Sequence, residues 1–279
     1  MAVKSYRFGL TGYPLEHSRS PLIHQAAFTV SGLQGEYQLF PVAPGEKFDS
    51  LVNALRCGDL DGLNITIPYK QVFAALADQL TPDALACGAV NTVYLRDGKI
   101  IGDNTDVGGF LTDLDNQFGN NYKNHQAVIL GAGGAARAVA AALLSRGWQV
   151  SIAARRPQQA EEIKQALSGV PAVFELSPNE LQPLLNKAAL LVNATPVGMF
   201  PAVDSNPLAQ EVELAADMMV YDLVYNPPET QLMRQARQSG LTAANGLGML
   251  VEQAALAFER WTGKFVPRDA LRKELADVL

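Results

Sequence analysis

From Ala127 to Trp148 the chain reads AVILGAGGAARAVAAALLSRGW. A short apolar run is followed by a glycine turn and then by an alanine-rich helical stretch. This order constrains the fold more than any other feature. A buried strand that ends in G-x-G-x-x-A and enters a helix at once is the opening unit of a doubly wound parallel sheet. Gly131 permits the tight turn, Gly133 lets a pyrophosphate approach the backbone, and Ala136 is small enough for close helix–strand packing. The positive end of the helix then faces the phosphates. Gly131, Ala132, Gly133, Gly134 and Ala135 are therefore candidate residues for holding a dinucleotide.

The next strand says which one. Sites for NAD usually place Asp or Glu about 20 residues on, where it meets the ribose hydroxyls. Here the strand VSIAA ends in Ala154 and is followed by Arg155 and Arg156. A guanidinium is permanently charged and forks around phosphate oxygens. The reading is NADP, with Arg155 and Arg156 as cofactor residues.

A run of βα units follows this turn, with further strands at 188–198 and 218–228 and a helix at 229–240, and two helices close the chain. Before it, a strand at 6–12 leads to a helix at 20–32, with Ser20 as N-cap and Pro21 at the first helical position. Then come a strand at 35–42, a helix at 46–58, a short buried strand before Pro68, a helix near 69–80 and a hairpin turning at Asp97–Gly98. The polar stretch at 115–126 is a candidate boundary loop. The fold class is α/β in two domains: a mixed α/β domain and a Rossmann-type nucleotide domain.

Composition excludes several classes. The 279 residues carry a net charge of −6, without the basic footprint of a nucleic-acid binder. Cys57 and Cys87 form no CxxC pair, and His17, His24 and His125 show no ligand spacing, so no metal is expected. His17 and His24 read as structural. No signal peptide or membrane span is visible, and a cytoplasmic protein is expected.

Four segments outside the glycine turn resemble the shikimate dehydrogenases: PLEHSRSPLIHQAAF (14–28), LNITIPYK (63–70), GAVNT with GDNTDVGG (88–92 and 102–109), and NGLGMLVEQAALAF (245–258). Their order and spacing match the family along nearly the whole chain. The resemblance implies a substrate domain over 1–106, completed by helices at 247–279, with an NADP domain over 107–246. It implies reduction of 3-dehydroshikimate to shikimate with NADPH, with Lys70 and Asp106 as the catalytic pair. Chemistry agrees: ketone reduction needs a hydride and a proton for the developing alkoxide. Lysine, unlike arginine, can lose a proton.

By the same resemblance Ser18, Ser20 and Tyr225 take the substrate carboxylate, while Thr66, Asn91 and Gln253 take ring hydroxyls. Asn193, Thr195, Leu223 and Gly246 join the cofactor side. Two departures stand out. Family members often show NRT after the second strand, where this chain has ARRP from Ala154. The segment TPD (81–83) offers no residue assignable to cofactor. The alternatives are a quinate/shikimate dehydrogenase with relaxed cofactor use and a non-catalytic dinucleotide-sensing relative. The expected partner is a small molecule, with a monomer or homodimer as the assembly. The joints near 103–110 and 240–246, with Gly102, Gly108 and Gly109 at the first and Gly240, Gly246 and Gly248 at the second, are candidate hinges for domain closure.

Overall fold

The computed structural model describes residues 4–119, 122, 124–168 and 170–275. Positions 120, 121 and 123 of the polar stretch, and 276–279 of the last expected helix, lie outside them. The chain divides into two compact units. One holds the residues up to Gly109 and from Val251 onward, and the other holds Phe110–Leu250.

The first unit begins with β1 (Ser5–Gly12), α1 (Ser20–Ser31), β2 (Gln34–Pro41), α2 (Asp49–Cys57) and β3 (Gly62–Ile65). It continues with α3 (Lys70–Leu76), β4 (Gln79–Leu80), α4 (Pro82–Cys87), β5 (Thr92–Arg96) and β6 (Lys99–Asp103), after which α5 (Thr105–Phe118) opens. The sheet order is β2-β1-β3-β5-β6-β4. β1 runs parallel to β2 and β3, whereas β5 is antiparallel to both β3 and β6. The expected hairpin is there: Asp97 and Gly98 both have positive φ, 52° and 73°, matching the twist of the flanking strands. Leu55, Leu63, Ile65, Phe73, Val90 and Val93 form part of the core beneath this sheet.

Three local expectations change. Ser20 is not the N-cap of α1. Arg19 holds that position, Ser20 is the first helical residue, and its N–H donates to Ser18 Oγ at 3.3 Å. Ile67 is not part of the buried alternation: β3 ends at Ile65, and Ile67 is 69% exposed. The helix near 69–80 is shorter, because Ala77 turns extended (φ −70°, ψ 139°) and the chain enters β4 and then α4.

The second unit opens with β7 (Gln126–Leu130), α6 (Gly134–Ser145), β8 (Gln149–Ala154), α7 (Pro157–Ala166) and β9 (Ala172–Glu175). Next are α8 (Pro178–Leu185), β10 (Leu190–Asn193), β11 (Met219–Asp222), α9 (Gln231–Gln238) and β12 (Thr242–Asn245). The sheet is parallel throughout, in the order β12-β11-β10-β7-β8-β9. This is the doubly wound arrangement, with the strand order reversing beside β7. Its central strands are buried on both faces, so they read as unbroken apolar runs, such as Ala127–Leu130 and Leu190–Val192.

α10 (Leu247–Thr262) and α11 (Arg268–Leu275) end the chain. The polar stretch at 115–126 begins as the last turn of α5 rather than as loop. Two glycines expected as joints also have a packing reason. A Cβ at Gly109 would lie 2.8 Å from Gln253 Cβ, and one at Gly248 would overlap the Asp113 carboxylate. α5 and α10 therefore approach each other closely.

Candidate functional site

Lys70 opens α3 just after the end of β3, and Asp106 lies in the first turn of α5 just after β6. β3 and β6 both flank β5 and run in the same direction, so their C-terminal ends reach one edge of the sheet. There Lys70 Nζ donates to Asp106 Oδ2 at 2.6 Å, with the side chains only 16% and 9% exposed. Partial burial strengthens such a charge-assisted bond.

The surrounding amides and hydroxyls interlock. Asn91 Nδ2 donates to Thr105 Oγ1 at 3.0 Å and to Gln253 Oε1 at 3.4 Å, and Asn91 Oδ1 accepts the Thr105 N–H at 2.8 Å. Asn64 Nδ2 donates to Asn91 O and Thr92 Oγ1, while Asn64 Oδ1 accepts the Tyr37 hydroxyl at 2.8 Å. Burial pushes the Tyr37 hydroxyl's pKa up, against an opposing hydrogen bond with Ser20. Ser18 bonds Ser20, so the serine turn connects through Tyr37 to Asn64 and Asn91. Thr66 follows β3, half-buried, with its N–H on Thr11 O. His24 is fully buried with its ring stacked 4.2 Å from Tyr37, as a structural histidine would be.

Asn104, which the sequence reading passed over, fixes the Asp106 turn. Its Oδ1 accepts the Asp106 N–H at 3.1 Å and its Nδ2 donates to Ala89 O at 2.9 Å. Asn64 and Tyr37 were also missed. For Asn64 the signal was a polar residue inside a strand otherwise buried throughout; Tyr37 sits in the largely open β2 and gave none.

In the second unit the glycine turn has the form that a dinucleotide needs. Gly131 has φ 104°, and a Cβ there would lie 2.9 Å from Thr195 Cγ2. Gly133 is the N-cap of α6, and nothing lies within 4 Å of a Cβ built on it. That open space above the first N–H groups of a helix suits a pyrophosphate. Ala132, Gly134 and Ala135 are half-buried beside it, and Gly133 itself is exposed. Arg155 and Arg156 follow β8. Both are exposed, and among the described residues neither has an ion-pair partner, so two cations are available for a further phosphate.

Asn193 ends β10. Its Oδ1 accepts the Thr195 N–H and hydroxyl at 3.1 and 2.7 Å, and its Nδ2 donates to Asp222 Oδ1 at 2.8 Å. Asp222, another residue missed in the sequence, also accepts Thr230 Oγ1 at 2.6 Å and the Val224 N–H. Burial raises its pKa. Leu223 donates its N–H to Asn193 O at 2.9 Å. A Cβ at Gly246 would overlap the Leu223 carbonyl, so only glycine fits there. Tyr225 lies in this unit, half-buried, two residues past Leu223.

Three family descriptions match the chain: the shikimate dehydrogenase substrate binding domain over residues 10–93, shikimate / quinate 5-dehydrogenase over 113–224, and the shikimate 5'-dehydrogenase C-terminal domain over 246–276. The shikimate dehydrogenase (NADP(+)) of Methanopyrus kandleri is 43% identical over 276 residues, covering 97% of this chain and 95% of that one. Shikimate 5-dehydrogenase from Thermus thermophilus, solved in complex with NADP(H) and shikimate, superposes with a TM-score of 0.86 at 35% identity, over 98% of this chain and 100% of that one. Quinate dehydrogenase from Corynebacterium glutamicum in complex with NAD gives 0.88 at 32% identity, over 98% and 99%.

Proposed function

The chain belongs to the shikimate dehydrogenase family, and from that premise we infer that it interconverts 3-dehydroshikimate and shikimate with NADP, a step toward chorismate and the aromatic amino acids. The observation that carries the reading is the Lys70–Asp106 contact at 2.6 Å, formed where two parallel-running strands end. A dinucleotide fits the open helix terminus at Gly133, and its 2′-phosphate fits the unpaired Arg155 and Arg156. NADP supplies or accepts the hydride when bound.

The proton belongs to the chain's own residues. In reduction the ammonium of Lys70 donates a hydrogen bond to the carbonyl oxygen and gives up a proton as that oxygen gains charge. Asp106 holds the ammonium in place and stabilises its charged form. In oxidation the same nitrogen receives the hydroxyl proton. We assign Ser18, Ser20 and Tyr225 to the substrate carboxylate, and Thr66, Asn91 and Gln253 to its hydroxyls. Gly131 through Ala135, Asn193, Thr195, Leu223 and Gly246 are assigned to the cofactor. Tyr225 apart, the roles follow the span of the residues: substrate on 1–106 with 247–279, nucleotide on 107–246.

Nicotinamide absorbance tests this with shikimate or quinate against NADP or NAD. Shikimate with NADP should be the fastest of the four. Lys70→Ala should lower kcat by about 10²–10⁴ while the shikimate KM moves far less, since only the proton transfer is removed. Wild-type turnover in that variant would sink the assignment, and faster quinate oxidation with NAD would favour the quinate reading.

A further inference from the structure

Asp103 is the last residue of β6 and is 2% exposed. A carboxylate so buried demands partners. Its Oδ1 accepts the Thr81 hydroxyl at 2.5 Å and the Asn104 N–H at 2.8 Å, and its Oδ2 accepts Arg260 Nε at 2.9 Å. Thr81 belongs to the TPD segment, for which no role was visible in the sequence. It is the N-cap of α4, and its own N–H donates to Gly102 O at 2.9 Å.

Each partner leads toward the site. Asn104, held by Asp103 through its backbone, accepts the Asp106 N–H and so sets where the Asp106 carboxylate starts. Arg260 lies on α10 seven residues, two helical turns, beyond Gln253, and the two share a helix face. Gln253 in turn meets Asn91. One ion pair therefore ties the helix bearing Gln253 to the turn bearing Asp106, without touching either Lys70 or Asp106.

We propose that Asp103, Arg260 and Thr81 are positioning residues that hold Asp106 and Gln253 at a fixed separation for the reaction. The proposal rests on the catalytic assignment of Lys70 and Asp106 above. Neutral bonds alone would keep the β6–α5 turn folded. The Arg260 charge adds a fixed distance between two elements, and catalysis is steep in such distances, with a displacement of about 1 Å able to cost up to ~10²-fold.

The test is steady-state kinetics on the full chain, normalised to folded protein by circular dichroism. Arg260→Ala should lower kcat about tenfold, leave the KM for NADP unchanged, and regain most of kcat in Arg260→Lys, because the restored charge resets the geometry. A folded Arg260→Ala with kcat within about twofold of the parent, or an Arg260→Lys as slow as the alanine variant, would overturn the proposal. If Arg260→Ala does not fold, Thr81→Val decides: at nearly constant volume it removes the hydroxyl that donates to Asp103 Oδ1 and accepts the Ala84 N–H, and a kcat loss of about threefold is expected, parent-like kcat overturning the proposal. Lys70→Ala run alongside separates the two claims. If Lys70→Ala is inactive while Arg260→Ala is unaffected, only the positioning role fails. Full turnover in Lys70→Ala removes the catalytic reading itself.

Discussion

His24 shows how a single buried side chain sets a condition on the fold. Burial pushes its pKa from 6.5 down to about 3, against a smaller upward pull from Asn64. The folded protein keeps the ring neutral, and the unfolded chain binds a proton near pH 6.5. Stability is therefore complete above 6.5 and falls as the pH drops toward 3, because only the unfolded state gains the proton. Between pH 7 and pH 5 this one group should remove about 2 kcal/mol. Urea midpoints at the two pH values should show that loss, and His24→Phe, which keeps a ring against Tyr37, should abolish it. Equal acid sensitivity in both proteins would place the titration elsewhere. At this scale Lys70 and Asp106 were singled out through the family resemblance, since by local pattern alone a lysine after a strand end reads as solvated and an aspartate in a glycine-rich segment as a turn residue. Asn64, Asn104, Asp103 and Asp222 were not. What a buried polar group does is decided by partners distant in the chain, such as Arg260 for Asp103, and no local pattern announces them.

At the scale of elements, the crossing of α5 and α10 depends on glycine. A side chain at Gly248 would occupy the space of the Asp113 carboxylate, which is buried and accepts the Tyr221 hydroxyl. Gly248→Ala forces either that carboxylate or the helix to move. It should cost at least about 2 kcal/mol in chemical denaturation, despite alanine's better helix propensity. A neutral or stabilising result would show that the helices separate freely. Elements with strong signals were readable: the glycine-turn βα unit, the Asp97–Gly98 hairpin and the glycine-capped helices. β4, α4, β9, α8 and β12 were not readable, because they run from two to eight residues, and so short a span cannot establish a period. β9 is also half exposed, which blurs the apolar run of a central parallel strand.

For the molecule as a whole, the two-part plan was visible as a change in rhythm, from mixed strand–helix order to regular βα units. The distribution of charge was visible only in part. In the first unit the substrate side chains assigned above are neutral, and Lys70 is already matched by Asp106. In the second, Arg155 and Arg156 stand exposed and, among the described residues, without an ion-pair partner. The net charge of −6 repels both anionic ligands, NADP more strongly because it carries more negative charge, and screening of that repulsion offsets part of the arginine effect. Ionic strength should still separate the two ligands. Exposed arginines attract a phosphate through a field that salt shortens from about 10 Å at 0.1 M to about 3 Å at 1 M. Dipoles of serine, threonine and amide groups act at contact and are hardly screened. From about 0.05 to 0.5 M salt the KM for NADP should climb several-fold while that for shikimate stays nearly flat, and Arg155→Ala should flatten the NADP response. A parallel rise for both ligands would mean that the arginines do not meet the phosphate. Such an enzyme would respond to the ionic strength around it through its cofactor and not through its substrate.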